Sequence, residues 1–409
     1  MTNRVVITGM GVVSPLGNDV NRFRDALLRG DSGIDTITLF PTAALESKIG
    51  GKCTLDNYQY KDRKIDFAVY AADAAMNNAD QSGIPLQDSH EQDRCGLNIG
   101  VGLELFDMLD MVRFSRNQYR IPDEDKNDPC FLQTPGDLCA SVLRKRFGFR
   151  TVPQIHVSAC AAATDAIGNA FLAIRRGQRT MMLAGGTDSM LNPLGLAGFC
   201  KLQALSTRND EPARASRPFD IGRDGFVLGE GAGILVLEDF EFARARQATV
   251  YAEIVGYGNA FDAYSVSDPH PEGRGACFAM QRAFEMACLD PVQISYINAH
   301  GTSTLKNDVM ETRAVRKIFG KHAGTIPISS TKSMIGHLIS AAGAVEVIAG
   351  IACARVGKVH PTINLDNPDP DCDLDYVAHQ SRDHEVEYLL SNSFAFGGQN
   401  ATLILRIPA

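Results

Sequence analysis

Short apolar runs alternate along this chain with longer segments whose apolar residues recur every three or four positions, a pattern that predicts strands and helices in alternation. In the first half the segments are residues 4–9, 66–77, 96–102, 135–147, 154–157 and 161–176. Segment 161–176 is a well-formed helix: Ile167, Ala170, Phe171 and Ile174 share one face, Arg175 and Arg176 suit the negative C-terminal end, and Gly177 terminates it. A strand-like run at 181–183 follows, ended by Gly185-Gly186. The second half repeats this grammar with strands at 295–297 and 326–329, helices at 311–319 and 338–355, and closing strands at 388–391 and 401–406. The pattern predicts an α/β protein with a buried, largely parallel sheet. Two similar halves, residues 1–245 and 246–409, join near residues 240–250 without a low-complexity linker, so they are expected to share an interface.

Composition narrows the class. With 409 residues, 44% hydrophobic and 22% charged, the chain has ample material for packed cores. Apolar stretches such as 181–184 and 348–353 fall far short of the roughly 20 residues a membrane span needs. The start, Asn3 and Arg4 into Val5-Val6-Ile7, resembles a signal peptide only superficially, because Gly9, Gly11, Ser14 and Pro15 interrupt it, and a buried strand is expected there. Ten cysteines lie scattered without CxxC or paired Cys/His spacing, which predicts neither disulfides nor structural zinc and fits a reducing cytoplasm. A net charge of −8 argues against nucleic acid as the main partner. The cluster Arg144, Lys145, Arg146 and Arg150 reads as a solvated helix face, or as a patch for an acidic partner.

Candidate chemistry begins at Cys160, where the strand-like His156-Val157-Ser158 meets the small-residue start of the 161–176 helix. A thiol there faces a positive helix end, which predicts a stabilised thiolate nucleophile. Ala159, Ala161, Ala162 and Ala163 leave room for a substrate carbonyl and leave backbone N–H groups free for an oxyanion. Alone, a cysteine among alanines reads as packing. Two downstream motifs change that reading: Asn298-Ala299-His300-Gly301-Thr302-Ser303-Thr304 and Lys332-Ser333-Met334-Ile335-Gly336-His337. Each sets an imidazole beside glycine and small polar residues after a strand-like run, and with Cys160 they make a Cys-His-His constellation.

At this point the sequence resembles the elongating β-ketoacyl-acyl-carrier-protein synthases of the thiolase-like superfamily, over essentially its whole length. The matching pieces are Val5-Val6-Ile7-Thr8-Gly9-Met10-Gly11, Ser158-Ala159-Cys160-Ala161, Arg217-Pro218-Phe219-Asp220 with Arg223-Asp224-Gly225-Phe226, both histidine motifs, and Asn392-Ser393-Phe394-Ala395-Phe396-Gly397-Gly398. The resemblance implies a five-layer αβαβα fold of two similar halves. It implies that Cys160 takes an acyl group from phosphopantetheine on a carrier protein, with no tightly bound cofactor and no metal. His300 and His337 would then stabilise the enolate formed as malonyl carrier protein loses carbon dioxide. The N–H groups of Cys160 and Phe396 would form the oxyanion hole, and Phe396 would also be a gate. Lys332 and Glu311 would belong to a polar network around the histidines, with a purely structural ion pair as the other reading of Lys332. Thr302 and Thr304 would contact the pantetheine arm, and Phe199 would line the acyl or pantetheine pocket or simply pack. Glu346 reads as a structural partner.

Several positions bear on substrate. Ala395 and Gln399 stand where the family commonly has Gly and Thr, which predicts a stiffer Phe396 loop. The runs 207–212, 215–220 and Asn307-Asp308 with Glu311-Thr312 resemble the ketosynthase subunit of type II polyketide synthases. That resemblance favours a polyketide or polyene pathway with a chain-length-factor partner over fatty-acid elongation by a homodimer. A non-catalytic chain-length-factor role is disfavoured by Cys160, His300 and His337 occurring together. A degradative thiolase would use a second cysteine and one histidine, and a coenzyme-A-primed initiating synthase a Cys-His-Asn set. A dinucleotide site at Gly9-Met10-Gly11 lacks its third glycine, since Ser14 holds that position. The apolar stretch 103–111, with Leu105, Phe106, Met108, Leu109 and Met111, reads either as part of the acyl pocket or as a core helix.

Overall fold

The computed structural model describes residues 2–80, 92–102 and 107–408. Ten strands carry the fold: β1 (Val5–Val13), β2 (Cys95–Val101), β3 (Gln154–His156), β4 (Met181–Asp188), β5 (Gly231–Asp239), β6 (Ala252–Phe261), β7 (Tyr296–Asn298), β8 (Ile328–Ser329), β9 (Tyr388–Phe394) and β10 (Gln399–Arg406). Six helices pack on them: α1 (Arg63–Asp80), α2 (Leu138–Phe147), α3 (Ala162–Arg175), α4 (Arg274–Ala287), α5 (Leu305–Phe319) and α6 (Ala342–Ala354). The strand order is β8-β7-β9-β10-β6-β1-β5-β4-β2-β3. Read outward from the centre, the five strands from β1 and the five from β6 follow the same order: first, fifth, fourth, second, third. The two sets meet in a short ladder pairing Val5–Ile7 with Ala252–Ile254.

Three apolar cores fill the spaces between layers. One lies under α1 and α2, including Phe67, Ala71, Leu97 and Leu183. A second lies under α4 and α5, including Met280, Ile297, Met310 and Ile404. The third gathers Ile167, Phe171, Val345, Ile348, Leu235 and Leu403 around α3 and α6. Every residue of α6 is buried. A helix with no solvent face must sit between other layers, so the order is helix, sheet, helix, sheet, helix. This is the thiolase-like five-layer architecture.

The sheet is mixed rather than largely parallel. In each half two pairings are parallel, as β4 with β2 and β9 with β7, while the fifth strand runs antiparallel to both its neighbours. Between β9 and β10 the link is only the 395–398 turn, and so short a link permits only antiparallel pairing. Glycines also misled the strand boundaries. β1 continues through Gly9 and Gly11, where a Cβ would lie 2.2 Å from Ala75 O and 2.0 Å from Ala71 O of α1. β4 continues through Gly185-Gly186 to Asp188, for a Cβ on Gly185 would lie 1.9 Å from Gly233 O on β5. These glycines are close-approach positions inside strands, not stops.

Other boundaries moved as well. The predicted 311–319 helix starts a turn and a half earlier, at Leu305, and the predicted 338–355 helix is a one-turn segment, Ile339–Ala341, followed by α6. All ten cysteines are free thiols. Among the described residues no helix is long and apolar enough to cross a membrane. In the basic cluster, Arg146 pairs with Asp73 at 2.5 Å and Arg144 donates to Phe149 O, so part of that charge is spent within the fold.

Candidate active site

Cys160 sits in a one-turn segment, Ala159–Ala161, between β3 and α3. Ala159 adopts φ +46°, a left-handed backbone that costs a non-glycine residue about 1–2 kcal/mol. The turn can lie this deep because its neighbours are small: a Cβ on Gly100 would lie 2.5 Å from Ala162 C, and one on Gly186 2.7 Å from Ala163 Cβ. Cys160 is only 3% exposed. The expected thiolate is therefore not the resting form. Burial pushes the thiol up to about 11, and only part of that is offset by the Lys332 charge and by N–H groups of Phe396 and of Cys160 itself. Helix α3 proper begins two residues after the cysteine, which weakens the dipole contribution.

His300 follows β7 and His337 follows the one-turn helix Lys332–Ile335 after β8. The Cys160 sulfur and one ring nitrogen from each histidine lie within 4.8 Å of one another. Their backbones are clamped. His300 and Gly301 N–H groups donate to the two Glu311 carboxylate oxygens at 2.9 and 2.8 Å, while His337 N–H donates to Val227 O at 2.7 Å and its O accepts from Gly229 N–H at 2.9 Å. Gly336, at φ +73°, supplies the turn that a side chain would strain.

The tautomers follow from the hydrogen bonds. His337 Nδ1 accepts from Ile339 N–H at 3.1 Å, so its proton is on Nε2. His300 Nδ1 lies 3.3 Å from the Lys332 ammonium, which can only donate, so its proton is on Nε2 as well. Burial, and then the Lys332 charge, hold both imidazoles well below their usual range. Both are therefore neutral at pH 7. His337 Nε2 is buried and has no hydrogen-bond partner. The site thus offers imidazole N–H donors beside a thiol that is itself approached by two backbone N–H groups, a donor set suited to oxygens that become anionic.

Lys332 and Glu311 both belong to the polar network around His300, as expected, and act at separate points of it. Lys332 bonds His300 O at 2.7 Å and pairs with Glu346, not with Glu311. Both partners are 1% exposed. Burial pushes the Glu346 carboxyl up to about 7, opposed by Lys332. Glu311 is the clamp on the His300 loop. Glu346 carried a signal in the sequence: it is the one charged residue in the apolar run of α6, and a lone buried carboxylate requires a cation.

A cavity of about 330 Å³ opens above the triad, lined by Cys160, His300, His337, Thr302, Thr304 and Phe396 among others. Phe199 does not line it. That ring packs edge-on behind Phe226 at 5.4 Å, and Phe226 takes the lining position. Thr302 and Thr304 hydroxyls bond each other at 2.8 Å. The Phe396 loop is closed by Ala395 N–H to Gln399 O at 2.7 Å and by Gly398 N–H to Ala395 O at 3.0 Å. Gly397 and Gly398 carry the left-handed angles of that turn, and Ala395 does not, so alanine there adds no backbone strain. Of the 103–111 stretch, Leu105 and Phe106 lie outside the described residues. Met108, Leu109 and Met111 are exposed, on a helix that buries only Asp110, so a core helix is ruled out for that part.

Residues 2–243 match the family model "Beta-ketoacyl synthase, N-terminal domain", and residues 251–366 match "Beta-ketoacyl synthase, C-terminal domain". The chain belongs to the β-ketoacyl synthase family. It is a condensing enzyme of the acyltransferase type. Among curated relatives, 3-oxoacyl-[acyl-carrier-protein] synthase 2 of Synechocystis sp. is 42% identical, and that of Coxiella burnetii 41%, each over 98% of both chains. Among solved structures, a type II polyketide ketosynthase in complex with its acyl-carrier protein superposes with TM-score 0.88 at 33% identity, over 100% of both chains. A β-ketoacyl synthase from Burkholderia phymatum gives TM-score 0.87 at 35% identity over the same coverage. A ketosynthase in complex with its chain length factor, from Xenorhabdus doucetiae, gives 0.78 at 27%, over 99% and 98% of the two chains.

Proposed function

We propose that this β-ketoacyl synthase elongates fatty acyl chains delivered on an acyl carrier protein, as a 3-oxoacyl-carrier-protein synthase. The observation that carries the reading is the convergence of Cys160 with two neutral, Nε2-protonated imidazoles. Cys160 attacks the thioester carbon of an acyl phosphopantetheine, forming acyl-Cys160, and the arm departs as a thiol carrying the displaced proton. Malonyl carrier protein then enters. Its C–C bond to the carboxylate breaks, carbon dioxide leaves, and the electron pair becomes an enolate whose oxygen is held by His300 and His337. The enolate carbon attacks the acyl-Cys160 carbonyl, whose oxygen faces the N–H groups of Cys160 and Phe396. Collapse breaks the C–S bond, releases 3-oxoacyl carrier protein and returns the thiolate, which takes a proton from solvent. Splitting one difficult step into two is what the covalent intermediate contributes.

The arm enters past Thr302 and Thr304, and no tightly bound cofactor or metal takes part. Lys332, paired with Glu346, orients His300. A second copy adds at β3, one of the two edge strands of the sheet, beside exposed Val152 and Val157. Fatty acyl substrates fit the 42% and 41% identity to 3-oxoacyl synthases better than the polyketide pathway that the 207–220 run suggests. The polyketide reading keeps one specific support, the TM-score of 0.88 to a type II polyketide ketosynthase. The test is condensation of saturated acyl carrier proteins with malonyl carrier protein, followed by release of labelled carbon dioxide and of 3-oxoacyl product. Turnover of saturated acyl chains by the chain alone supports the proposal. Activity that requires a co-expressed relative, or only a poly-3-oxo substrate, favours the polyketide reading.

A further inference from the structure

The cavity above Cys160 is a ligand channel on its own evidence, because the buried Nε2 of His337 at its floor has no partner. Its lining grades outward from Thr302, 6% exposed, to the side chains of Asp268 and Lys306, 40% and 66% exposed, which marks the mouth. The lining is acidic: it includes Asp224, Asp262 and Asp268, and Lys306 is the single lysine or arginine among its described residues. Lys306 Nζ pairs with Asp268 Oδ2 at 2.6 Å, joining the first turn of α5 to the loop after β6. The same helix end is open. Thr304 makes no side-chain capping bond, since its hydroxyl engages Thr302, and Asp308 supplies the first amide bonded back to Thr304 O. Thr304, Leu305, Lys306 and Asn307 all line the cavity.

We propose that Lys306 and the open first turn of α5 form the seat for the anionic phosphodiester of the carrier's arm, with Asp268 holding Lys306 over the mouth until the anion displaces it. The seat rests on the reading that the channel admits phosphopantetheine. Free helix N–H groups and the positive helix end favour an anion. An ammonium point charge is a sound phosphate partner, whereas an exposed ion pair such as Lys306–Asp268 stabilises little, so exchanging Asp268 for phosphate costs little. Without Lys306 the three aspartates would oppose entry of any anion.

Three malonyl probes test the seat on the intact enzyme: malonyl-pantetheine, which ends before the phosphate, malonyl-phosphopantetheine, and malonyl carrier protein. For Lys306→Ala, kcat/KM for the phosphate-bearing probe relative to malonyl-pantetheine is expected to fall about 3- to 10-fold, through KM. For Asp268→Asn the same ratio is expected to rise. A ratio unchanged by Lys306→Ala overturns the seat. So does a loss seen with carrier protein but not with free malonyl-phosphopantetheine, since Lys306 would then touch the carrier's surface. Because a misfolded variant lowers all three rates together, the ratio separates binding from folding. Wild-type enzyme inert toward every probe would instead sink the condensation reading.

Discussion

At Ala159–Ala161 and again at Ile339–Ala341 the chain makes the same move. A residue enters the left-handed region, φ +46° at Ala159 and +44° at Ile339, a single tight turn follows, and a central helix begins. The second residue of the first turn is Cys160 and of the second Ser340. Their surroundings part there. Cys160 lines the cavity, with N–H groups of Phe396 and its own backbone against the sulfur. Ser340 does not line it. Its N–H is committed to Asp188 at 3.2 Å and its hydroxyl has no partner. Six residues on, α3 carries Ala166 and α6 carries Glu346, the counter-ion of Lys332. The repeated topology thus builds two equivalent turns. One is given a nucleophile and an opening, while the other helps hold the histidine side of the site.

That comparison can be broken at several points. The largest effect is expected for Cys160→Ala, which should lower condensation by on the order of 10³-fold or more, measured as 3-oxoacyl product. Carbon dioxide release from malonyl carrier protein should survive better than condensation, because the histidines remain. His300→Ala or His337→Ala, each removing a donor from the second-half side, should cost about 10²- to 10³-fold in that decarboxylation. Glu346→Ala should destabilise the fold by about 3–5 kcal/mol by stranding the buried Lys332 ammonium, read by denaturant unfolding. A loss below about 1 kcal/mol would mean that the ion pair is dispensable. Ser340→Ala should leave turnover intact and raise stability by up to about 1 kcal/mol, since it removes a buried hydroxyl that bonds nothing. A large loss of activity there would show that the second turn does chemistry.

How far these features were legible in the sequence depends on what each residue does. Cys160, His300 and His337 announced themselves through motifs, because backbone-lined pockets need glycine and small polar neighbours at fixed places. The repeated alternation of strands and helices was legible through the spacing of its apolar residues. Strand direction was not: the β9–β10 turn is short enough to force antiparallel pairing, but nothing in it says where the fifth strand inserts. Gly9, Gly11 and Gly185 looked like stops, since a missing side chain reads the same whether it ends a strand or admits a neighbouring backbone. The thiol's state was misjudged because a helix end is visible in sequence and burial is not. Phe199 and Phe226 are both aromatics near the site, and only packing shows which one faces the cavity. Glu346 was legible as a structural ion-pair residue, for a single carboxylate in an otherwise apolar helix has to meet a cation, but the sequence did not name Lys332 as that cation.

The most direct test of Cys160 as the acyl carrier is intact-protein mass spectrometry after incubation with a series of acyl carrier proteins, followed by peptide mapping. The account expects one acyl mass added to the wild-type chain, located on Cys160, and none added to Cys160→Ala. An adduct on another residue, or no adduct from any acyl chain while the protein remains folded, would contradict it.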